Sequence, residues 1–275
     1  MRINNNITAI NSHRQYTINN GRLGKNVERL SSGFRVNRAA DDAAGLAISE
    51  KMRSQIRGLN MASKNSQDAV SLVQIAEGGM QTIQDMLQRM RELAVQAISD
   101  TNTTDDRGHL DKEVSQLKME IDDIARATEF NTMKLLNGEG TFGQGTGGTI
   151  QTGANPTQTM DIFINTVTTG GLGVSGTQVD NASNADLALT AIDAAVESIS
   201  AFRAELGAYQ NRLEYKIQNL DNAAENMAAA ESRIRDADMA KSMTEFTKNN
   251  ILFQASTAML AQANALPQSV LQLLG

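Results

Sequence analysis

The chain has no cysteine and no tryptophan, and only 2 of its 275 residues are proline. Without cysteine it cannot form disulfides, thiolate metal sites or a thiol nucleophile. Aromatic residues amount to 4% of the chain, whereas 40% of residues are hydrophobic, so the core must be filled by aliphatic side chains. Scarce proline together with abundant Ala, Leu, Ile, Gln and Glu favours long helices. The composition therefore predicts a helical protein with a thin, aliphatic core.

A basic surplus and long hydrophobic runs are also missing. The net charge is -6, which argues against binding to nucleic-acid phosphates. No segment approaches the roughly 18 consecutive apolar residues that a membrane span needs, and the N-terminus has no hydrophobic signal-peptide region. The residues before Glu28 carry only basic charges, as in an organelle transit peptide, but the apolar pattern continues past them and favours a helix. We therefore expect no nucleic-acid partner and no membrane insertion.

Apolar residues spaced alternately three and four apart run through the first half of the chain. This heptad spacing places them along one side of a helix, as in coiled coils. With weaker spacing back to Leu46 and an N-cap at Asp41 or Asp42, it predicts one helix of about 55 residues. That length favours a coiled-coil-like rod over a compact globular domain. The uninterrupted seam is Val73, Ala76, Met80, Ile83, Leu87, Met90, Ala94 and Ala97.

A second helix and a β region follow this long helix. The polar segment 99–109 predicts a turn, and residues 110–124 then repeat the heptad spacing, so a second helix should pack antiparallel to the first. From about 130 to 183 the chain is rich in Gly and Thr. Alternating apolar and polar residues in TIQT and TMDIFI predict a small β-hairpin there.

A third long helix completes the pattern. Ser183, followed by Asp186 three residues on, resembles a capping box and predicts its start. Its apolar seam runs from Ile192 to Ile234. The predicted fold is mainly α: a long coiled-coil-like helical bundle in a hairpin-shaped rod, with a small β-hairpin region.

Both ends of the chain carry apolar stripes that have no obvious partner. If the chain returns to its origin, the two ends lie side by side, but one pair of helices buries little area against an ordering cost of about 1–2 kcal/mol per residue. We therefore expect these ends to become ordered only against neighbouring copies. The candidate packing residues are Ile3, Ile7, Ile10, Met239, Met243, Phe246, Phe253 and Leu260.

Catalytic and cofactor patterns are weak. Residues 171–176 match the GxGxxG dinucleotide pattern, but no helix opens within the motif and no βαβ alternation surrounds it, which favours a turn. The histidines, His13 and His109, lie far apart without metal-ligand spacing. Acidic residues lie opposite the apolar seams, as solvated charges do. We expect no catalytic residues, cofactor or metal, and predict that the protein is not an enzyme.

Three segments resemble the bacterial flagellin family. They are ERLSSGFRVNRAADDAAGLAISEKMRSQIRG (residues 28–58), LQRMRELAVQA (87–97) and ESRIRDADMAKSMTEFTKNNILFQASTAMLAQAN (231–264), and the resemblance extends over nearly the whole chain. The closing PQSVLQLLG is similar to the short flagellins of Gram-positive bacilli. The resemblance implies a subunit that polymerises into the flagellar filament for swimming motility. A hook-filament junction protein or a soluble helical adaptor is the alternative.

The resemblance also implies a domain organisation. Residues 1–42 and 234–275 would pair as the inner, filament-core domain, and residues 43–233 would form an outer helical bundle that carries the β-hairpin region at about 130–183. The large variable outer domains of many flagellins are missing. No inserted metallopeptidase is expected, since no HExxH motif occurs.

Partners and localisation are further implications of the resemblance. They are secretion by the flagellar type III apparatus, an extracellular position in the flagellum, and contacts with copies of itself, an export chaperone, the filament cap protein and the hook-filament junction protein. The segment that the mammalian flagellin receptor detects in this family matches here at Arg89, Leu93 and Glu113. These residues are a candidate innate-immune epitope, and packing within the filament is the alternative role for the same positions.

Overall fold

The computed structural model describes residues 6–143 and 147–274, with side chains up to Ala265. Within those ranges the chain forms five helices and two antiparallel pairs of short strands, which confirms the predicted mainly α fold with a small β-hairpin. The helices are α1 (Ile7–Ser32), α2 (Ala43–Ile98), α3 (Thr104–Ala127), α4 (Ala182–Arg235) and α5 (Met239–Leu274).

The chain divides into two compact units. The terminal unit comprises residues 1–54 and 225–275, and the central unit comprises residues 55–224. Both α2 and α4 contribute residues to each unit. The domain boundaries suggested by the family resemblance, after residue 42 and before residue 234, stay a prediction.

Helix α2 has the predicted length and start. It spans 56 residues, and the Gly45 backbone N–H donates to Asp42 Oδ1 at 2.8 Å, so Asp42 is the N-cap. All eight residues of the predicted seam are buried in the central unit. Gly79 lies inside this helix where a larger side chain would not fit. A Cβ there would lie 2.8 Å from Leu136 Cδ1 and 2.9 Å from Thr128 Oγ1. The helix therefore approaches the segment after α3 closely at this point.

Helix α3 begins at Thr104, inside the segment predicted as a turn. A capping box causes the earlier start, because Thr103 Oγ1 accepts from the Asp106 N–H and the Asp106 carboxylate accepts from the Thr103 N–H. The predicted antiparallel packing on α2 is confirmed. Arg89 pairs with Glu113, and Arg107 Nε donates to the carbonyl oxygen of Ala97 at 2.8 Å.

Helix α4 begins one residue before the predicted cap. Asn181 is the N-cap, because its Oδ1 accepts the Asn184 N–H at 2.8 Å, so Ser183 lies in the first turn and the predicted capping role of Ser183 is wrong. α4 runs antiparallel to α2 in the central unit. An Arg91 to Asp193 ion pair (2.6 Å) lies towards one end, and Ser63 Oγ donates to Asp221 at 2.9 Å towards the other.

Two strand pairs lie between α3 and α4. β3 (Gly148–Gln151) pairs antiparallel with β4 (Thr159–Ile162), with Ile150 opposite Met160, which confirms the predicted hairpin. β1 (Glu129–Phe130) and β2 (Met133–Lys134) form a second, smaller hairpin that the sequence did not predict. Asn131 and Thr132 connect them with positive φ values of 48° and 64°. The turn lacks glycine, the usual signal for such backbone angles.

The central unit has one continuous hydrophobic core. The seams of α2, α3 and α4 meet there, together with apolar side chains from the segment between α3 and α4. Met80, Ile83 and Leu87 of α2 are fully buried. Such burial contributes about 1.5–3 kcal/mol for each large aliphatic side chain, so this core accounts for most of the stability of the unit.

Candidate assembly surface of the terminal helices

Helices α1 and α5 pack against each other antiparallel within the terminal unit. Near the start of α1, Asn6 Nδ2 donates to the Ala263 carbonyl oxygen at 2.8 Å. Further along, the rings of Tyr16 and Phe253 lie 5.2 Å apart between centroids, close enough for a tilted aromatic pair. The ends that the sequence left without partners therefore have one within the chain.

The seam between α1 and α5 contains buried amides. Asn19 Nδ2 donates to Ser256 Oγ at 2.7 Å and approaches the Leu252 carbonyl oxygen at 3.5 Å. Asn26, seven residues on, is also buried, and its Nδ2 has no hydrogen-bond partner among the described residues. A buried asparagine in a helical seam lowers stability but makes the pairing specific.

The outward faces of the same two helices carry exposed apolar side chains. Ile7 and Ile10 are each 60% exposed although isoleucine is usually buried. α5 carries exposed apolar side chains in several directions, which is typical of a helix that is buried in its functional state. The remaining exposed large apolar residues of the two helices are Ile18, Val27, Met239, Met243, Ile251, Leu252 and Met259.

Charged side chains are absent from long parts of these helices. Residues 3–12 and residues 249–275 contain none. A solvated helix face normally carries Lys, Glu or Arg. An uncharged surface with exposed isoleucine and methionine instead has the properties of an interface.

The two connectors that lead to the terminal helices are hydrogen-bonded to each other. The Arg35 N–H donates to the Arg235 carbonyl oxygen at 2.7 Å, and the Ala237 N–H donates to the Gly33 carbonyl oxygen at 2.9 Å. Gly33 ends α1 with a φ of +74°, a backbone angle that glycine adopts without strain. The end of α1 and the start of α5 are thereby held side by side.

A charged and aromatic cluster reinforces this junction. Two guanidinium groups contact the Phe34 ring, with Arg53 Cζ 5.2 Å and Arg235 Cζ 5.0 Å from its centroid. Arg53 Nε pairs with Glu231 at 2.9 Å, and Arg235 pairs with Glu50. Each arginine therefore bridges α2 and α4 while it contacts the ring. We call these five residues the Phe34 clamp.

The predicted packing residues fall into two groups. Ile7, Ile10, Met239 and Met243 are exposed. Phe246, Phe253 and Leu260 are half-buried, on the side of α5 that carries the Tyr16 contact. Ile3 lies outside the described residues. The assignment of all eight to filament packing stays a prediction, but the second group already has an intrachain role.

The predicted receptor epitope lies on α2 and α3 of the central unit. Arg89 Nη2 and Glu113 Oε1 are 2.9 Å apart, and Arg89 also pairs with Glu92 at 3.0 Å. These hydrogen bonds raise the pKa of Arg89, and the bond to Glu113 has the largest effect. Arg89 therefore stays charged. Leu93 is only 1% exposed, so its side chain packs in the core and can act on a partner only by positioning α2.

The glycine-rich segment 171–176 forms a turn without a phosphate site. Leu172 and Val174 are buried, and α4 begins only at Ala182, beyond the motif. Helix α3 is hydrogen-bonded to the residues just before this segment, because Asp122 accepts from both the N–H and the hydroxyl of Thr169. The motif therefore lacks the helix N-terminus that a dinucleotide pyrophosphate needs.

Neither histidine belongs to a metal-binding cluster. His13 and His109 are exposed on α1 and α3. Among the described residues, no group of three His, Asp or Glu side chains is placed to hold a metal ion. In the same part of the chain, no helix is long and apolar enough to cross a membrane.

Sequence reasoning missed the residues that organise the terminal unit. Asn19 and Asn26 are seven residues apart, and this repeat could have indicated a polar seam position. Phe34 follows a glycine after a helical segment, which marks a helix end but not an aromatic clamp. The partners Arg53 and Glu231 are far apart in sequence, so no local pattern could join them.

Comparison with known proteins gives the class of this chain. The family model for the bacterial flagellin N-terminal helical region matches residues 3–141, and the model for the C-terminal helical region matches residues 189–274. Both matches include terminal helices whose apolar side chains point outward. The chain therefore belongs to the bacterial flagellin family, a family of structural proteins.

Individual relatives agree with this assignment. The chain is 52% identical to a flagellin of Halalkalibacterium halodurans and 50% identical to a flagellin of Bacillus subtilis, each over the full length of both chains. A crystal structure of Bacillus cereus flagellin matches with a TM-score of 0.51 and 36% identity, covering 61% of this chain and 94% of that one. The protein is a structural subunit of the bacterial flagellar filament, which decides against the junction-protein and adaptor alternatives.

Proposed function

We propose that the subunit polymerises through the outward apolar faces of α1 and α5, and that residues 1–42 and 234–275 form the inner, filament-core domain. Ile3, Ile7, Ile10, Met239 and Met243 would contact neighbouring copies. Phe246, Phe253 and Leu260 would hold α5 in place against α1. Residues 43–233 would form the next layer outward.

The observation that carries this proposal is the exposure of Ile7 and Ile10, each 60% exposed on a helix whose opposite side holds buried asparagines. Exposed apolar surface costs about 25 cal/mol for each Å² that remains in water. Burial between copies removes that cost. The absence of charge from residues 249–275 favours a second copy as the partner, because neither surface then has a charge to desolvate.

The test is Ile10→Asp in the full-length chain, with filament formation followed by electron microscopy and sedimentation. A carboxylate at this position would be buried without a partner in every subunit contact, so filaments should be absent. The matched control is Leu187→Asp, because Leu187 is 68% exposed at the start of α4 in the central unit. Normal filament yield from Ile10→Asp, or equal loss from both variants, would contradict the proposal.

Export and capping partners are a further part of the proposal. A chain without cysteine can pass unfolded through the type III apparatus without forming disulfides. A cytoplasmic chaperone would cover the apolar C-terminal segment before export, and the filament cap and junction proteins would contact the subunit outside the cell. The proposed role is structural and involves no catalysis.

Recognition by the mammalian flagellin receptor would depend on Arg89 and Glu113, which the structure joins on adjacent helices. Arg89→Ala should weaken signalling by dissociated subunits in a receptor reporter assay, while thermal melting stays nearly unchanged, because exposed ion pairs contribute little to stability. Arg91→Ala is the matched control, since Arg91 forms a similar exposed pair with Asp193. Equal signalling by all three proteins would refute this assignment.

A further inference from the structure

Asparagine is followed directly by glycine at two places in the chain, at Asn20 and at Asn137. Such a pair is open to a slow, uncatalysed reaction in which the backbone nitrogen of the glycine attacks the asparagine side chain. Glycine has no Cβ that would hinder this approach. The reaction also requires that the glycine N–H is not held in a hydrogen bond. The two pairs differ in this respect.

Asn20 and Gly21 lie inside α1 and are both exposed. If solvent access decided the rate, this pair would be the more reactive of the two. In a helix, however, the glycine N–H donates to the carbonyl oxygen four residues before it. Attack on the Asn20 side chain would require α1 to open locally, which is costly because neighbouring hydrogen bonds in a helix form and break together.

Asn137 and Gly138 lie in a bend between β2 and β3 and are half-buried. Among the described residues, the Gly138 N–H has no backbone acceptor. Asn137 Oδ1 accepts the Glu139 N–H at 3.0 Å, so the side chain folds back along its own backbone as an Asx turn. The same N–H donates to the oxygen that becomes negative during attack at Cγ. This pair therefore has an available nucleophile and a polarised target.

Gly138 is required by the fold at this position. Its φ of +79° is a backbone angle that glycine adopts without strain, and an added Cβ would clash with Thr166 Oγ1. The preceding Leu135 and Leu136 are buried in the core of the central unit. The local packing thus demands the one residue type that leaves Asn137 reactive.

We propose that Asn137 is a site of spontaneous deamidation and that helix α1 protects Asn20 from the same reaction. A bond forms between the Gly138 nitrogen and Asn137 Cγ, the Cγ–Nδ2 bond breaks, and Nδ2 leaves as ammonia with the proton of the Gly138 N–H. Water then opens the resulting succinimide ring at either of its carbonyl carbons. The product is aspartate or isoaspartate, and the reaction consumes only water.

Either product changes the surroundings of this position. Asn137 Nδ2 donates to Glu139 Oε2 at 3.2 Å, and replacing that amide with a carboxylate puts two negative charges side by side. Isoaspartate also lengthens the main chain by a methylene group directly after buried Leu136. Subunits that carry isoaspartate should therefore melt at a lower temperature than fresh subunits.

Peptide mapping of the full-length protein tests the proposal. Purified filaments are incubated in warm, mildly alkaline buffer and digested, and mass spectrometry measures deamidation of each pair against a sample digested at the start. The same chain unfolded in guanidinium gives the reference rate for each pair. The ratio of native rate to unfolded rate should be at least about tenfold higher for Asn137 than for Asn20, because α1 must first break hydrogen bonds.

An isoaspartyl methyltransferase, which transfers a methyl group to isoaspartate, gives a second readout. Aged native protein should accept methyl groups, and Asn137→Gln should remove most of this signal because glutamine would have to form a larger ring. Asn20→Gln is the matched control and should leave the signal unchanged.

Three results would overturn the proposal. They are no deamidation of Asn137 in aged native protein, a rate ratio for Asn20 equal to or above that for Asn137, and an unchanged methylation signal in Asn137→Gln. Neither readout depends on which residues form the subunit contacts, so the proposal can fail or hold independently of the proposed assembly surface.

Discussion

The central and terminal units have similar apolar spacing, but the apolar residues are buried in the first and partly exposed in the second. In the central unit the heptad seam of α2 is covered on all sides, and Met80, Ile83 and Leu87 are fully buried. In the terminal unit Ile7, Ile10 and other apolar residues are exposed, while amides lie in the seam. Periodicity therefore shows that a helix has an apolar face, but it does not show whether the same chain or another copy covers that face.

The largest expected effect comes from removing the terminal helices. A chain trimmed to residues 45–232 should form no filaments, because α1 and α5 carry the outward apolar faces, yet it should retain a cooperative thermal transition, because the central core is intact. Circular dichroism and electron microscopy on the same sample measure both properties. Filaments from the trimmed chain would show that the central unit alone directs assembly.

Matched truncations in the two units should give opposite results. Leu87→Ala, in the core, should lower the free energy of unfolding by about 2–5 kcal/mol. Ile10→Ala, on the exposed face, should change it by less than about 0.5 kcal/mol but should reduce filament yield more than Leu87→Ala does. Urea unfolding and sedimentation are the measurements. A large loss of monomer stability in Ile10→Ala would mean that the isoleucine is already buried in the single chain.

The Phe34 clamp lies in the terminal unit and is a smaller target. Phe34→Ala should destabilise the junction by about 1–2 kcal/mol, since two cation–π contacts are lost. Faster hydrogen exchange at the amides of Arg35 and Ala237 should report this loss of stability at the junction. Phe34→Leu is the control, because leucine keeps apolar volume but has no aromatic ring. If the amides of Phe34→Leu are as protected from exchange as those of the native chain, the clamp acts by packing alone.

The smallest expected effect is a pH dependence of α3 in the central unit. Hydrogen bonds from the Thr103 hydroxyl and then from its backbone N–H lower the pKa of Asp106 below its usual 3.8. A carboxyl whose pKa is lower in the folded chain than in the unfolded chain stabilises the fold when the pH is above its unfolded-state pKa. This stabilisation is lost as the pH falls through its folded-state pKa. Between pH 5 and about 2.5 the melting temperature should fall less in Asp106→Asn than in the native chain. Parallel curves would mean that the capping box adds no pH dependence.

The sequence predicted the helices and their buried seams because heptad spacing is a local signal. The long α2, its cap at Asp42 and the β3/β4 hairpin followed from such signals. The hairpin at Asn131 and Thr132 did not, because its positive backbone angles occur without glycine.

The candidate site was only partly predictable. The spacing predicts that Ile7 and Ile10 are packing residues, and both are exposed in the structure. The hydrogen bond from Asn19 to Ser256 in the seam joins residues more than two hundred positions apart. A spacing rule has no information about such a contact. The same limit applies to Leu93, whose burial follows from how α2 packs and not from its neighbours in sequence.

The uncharged stretch at residues 249–275 has a thermal consequence. Contacts made by apolar surface without ion pairs release ordered water, so their free energy weakens on cooling and their formation has a negative heat-capacity change. Screening by salt should matter little for such contacts, because there are no charges to screen. The filament should therefore grow more readily in warm than in cold buffer, and its growth should depend more on temperature than on ionic strength.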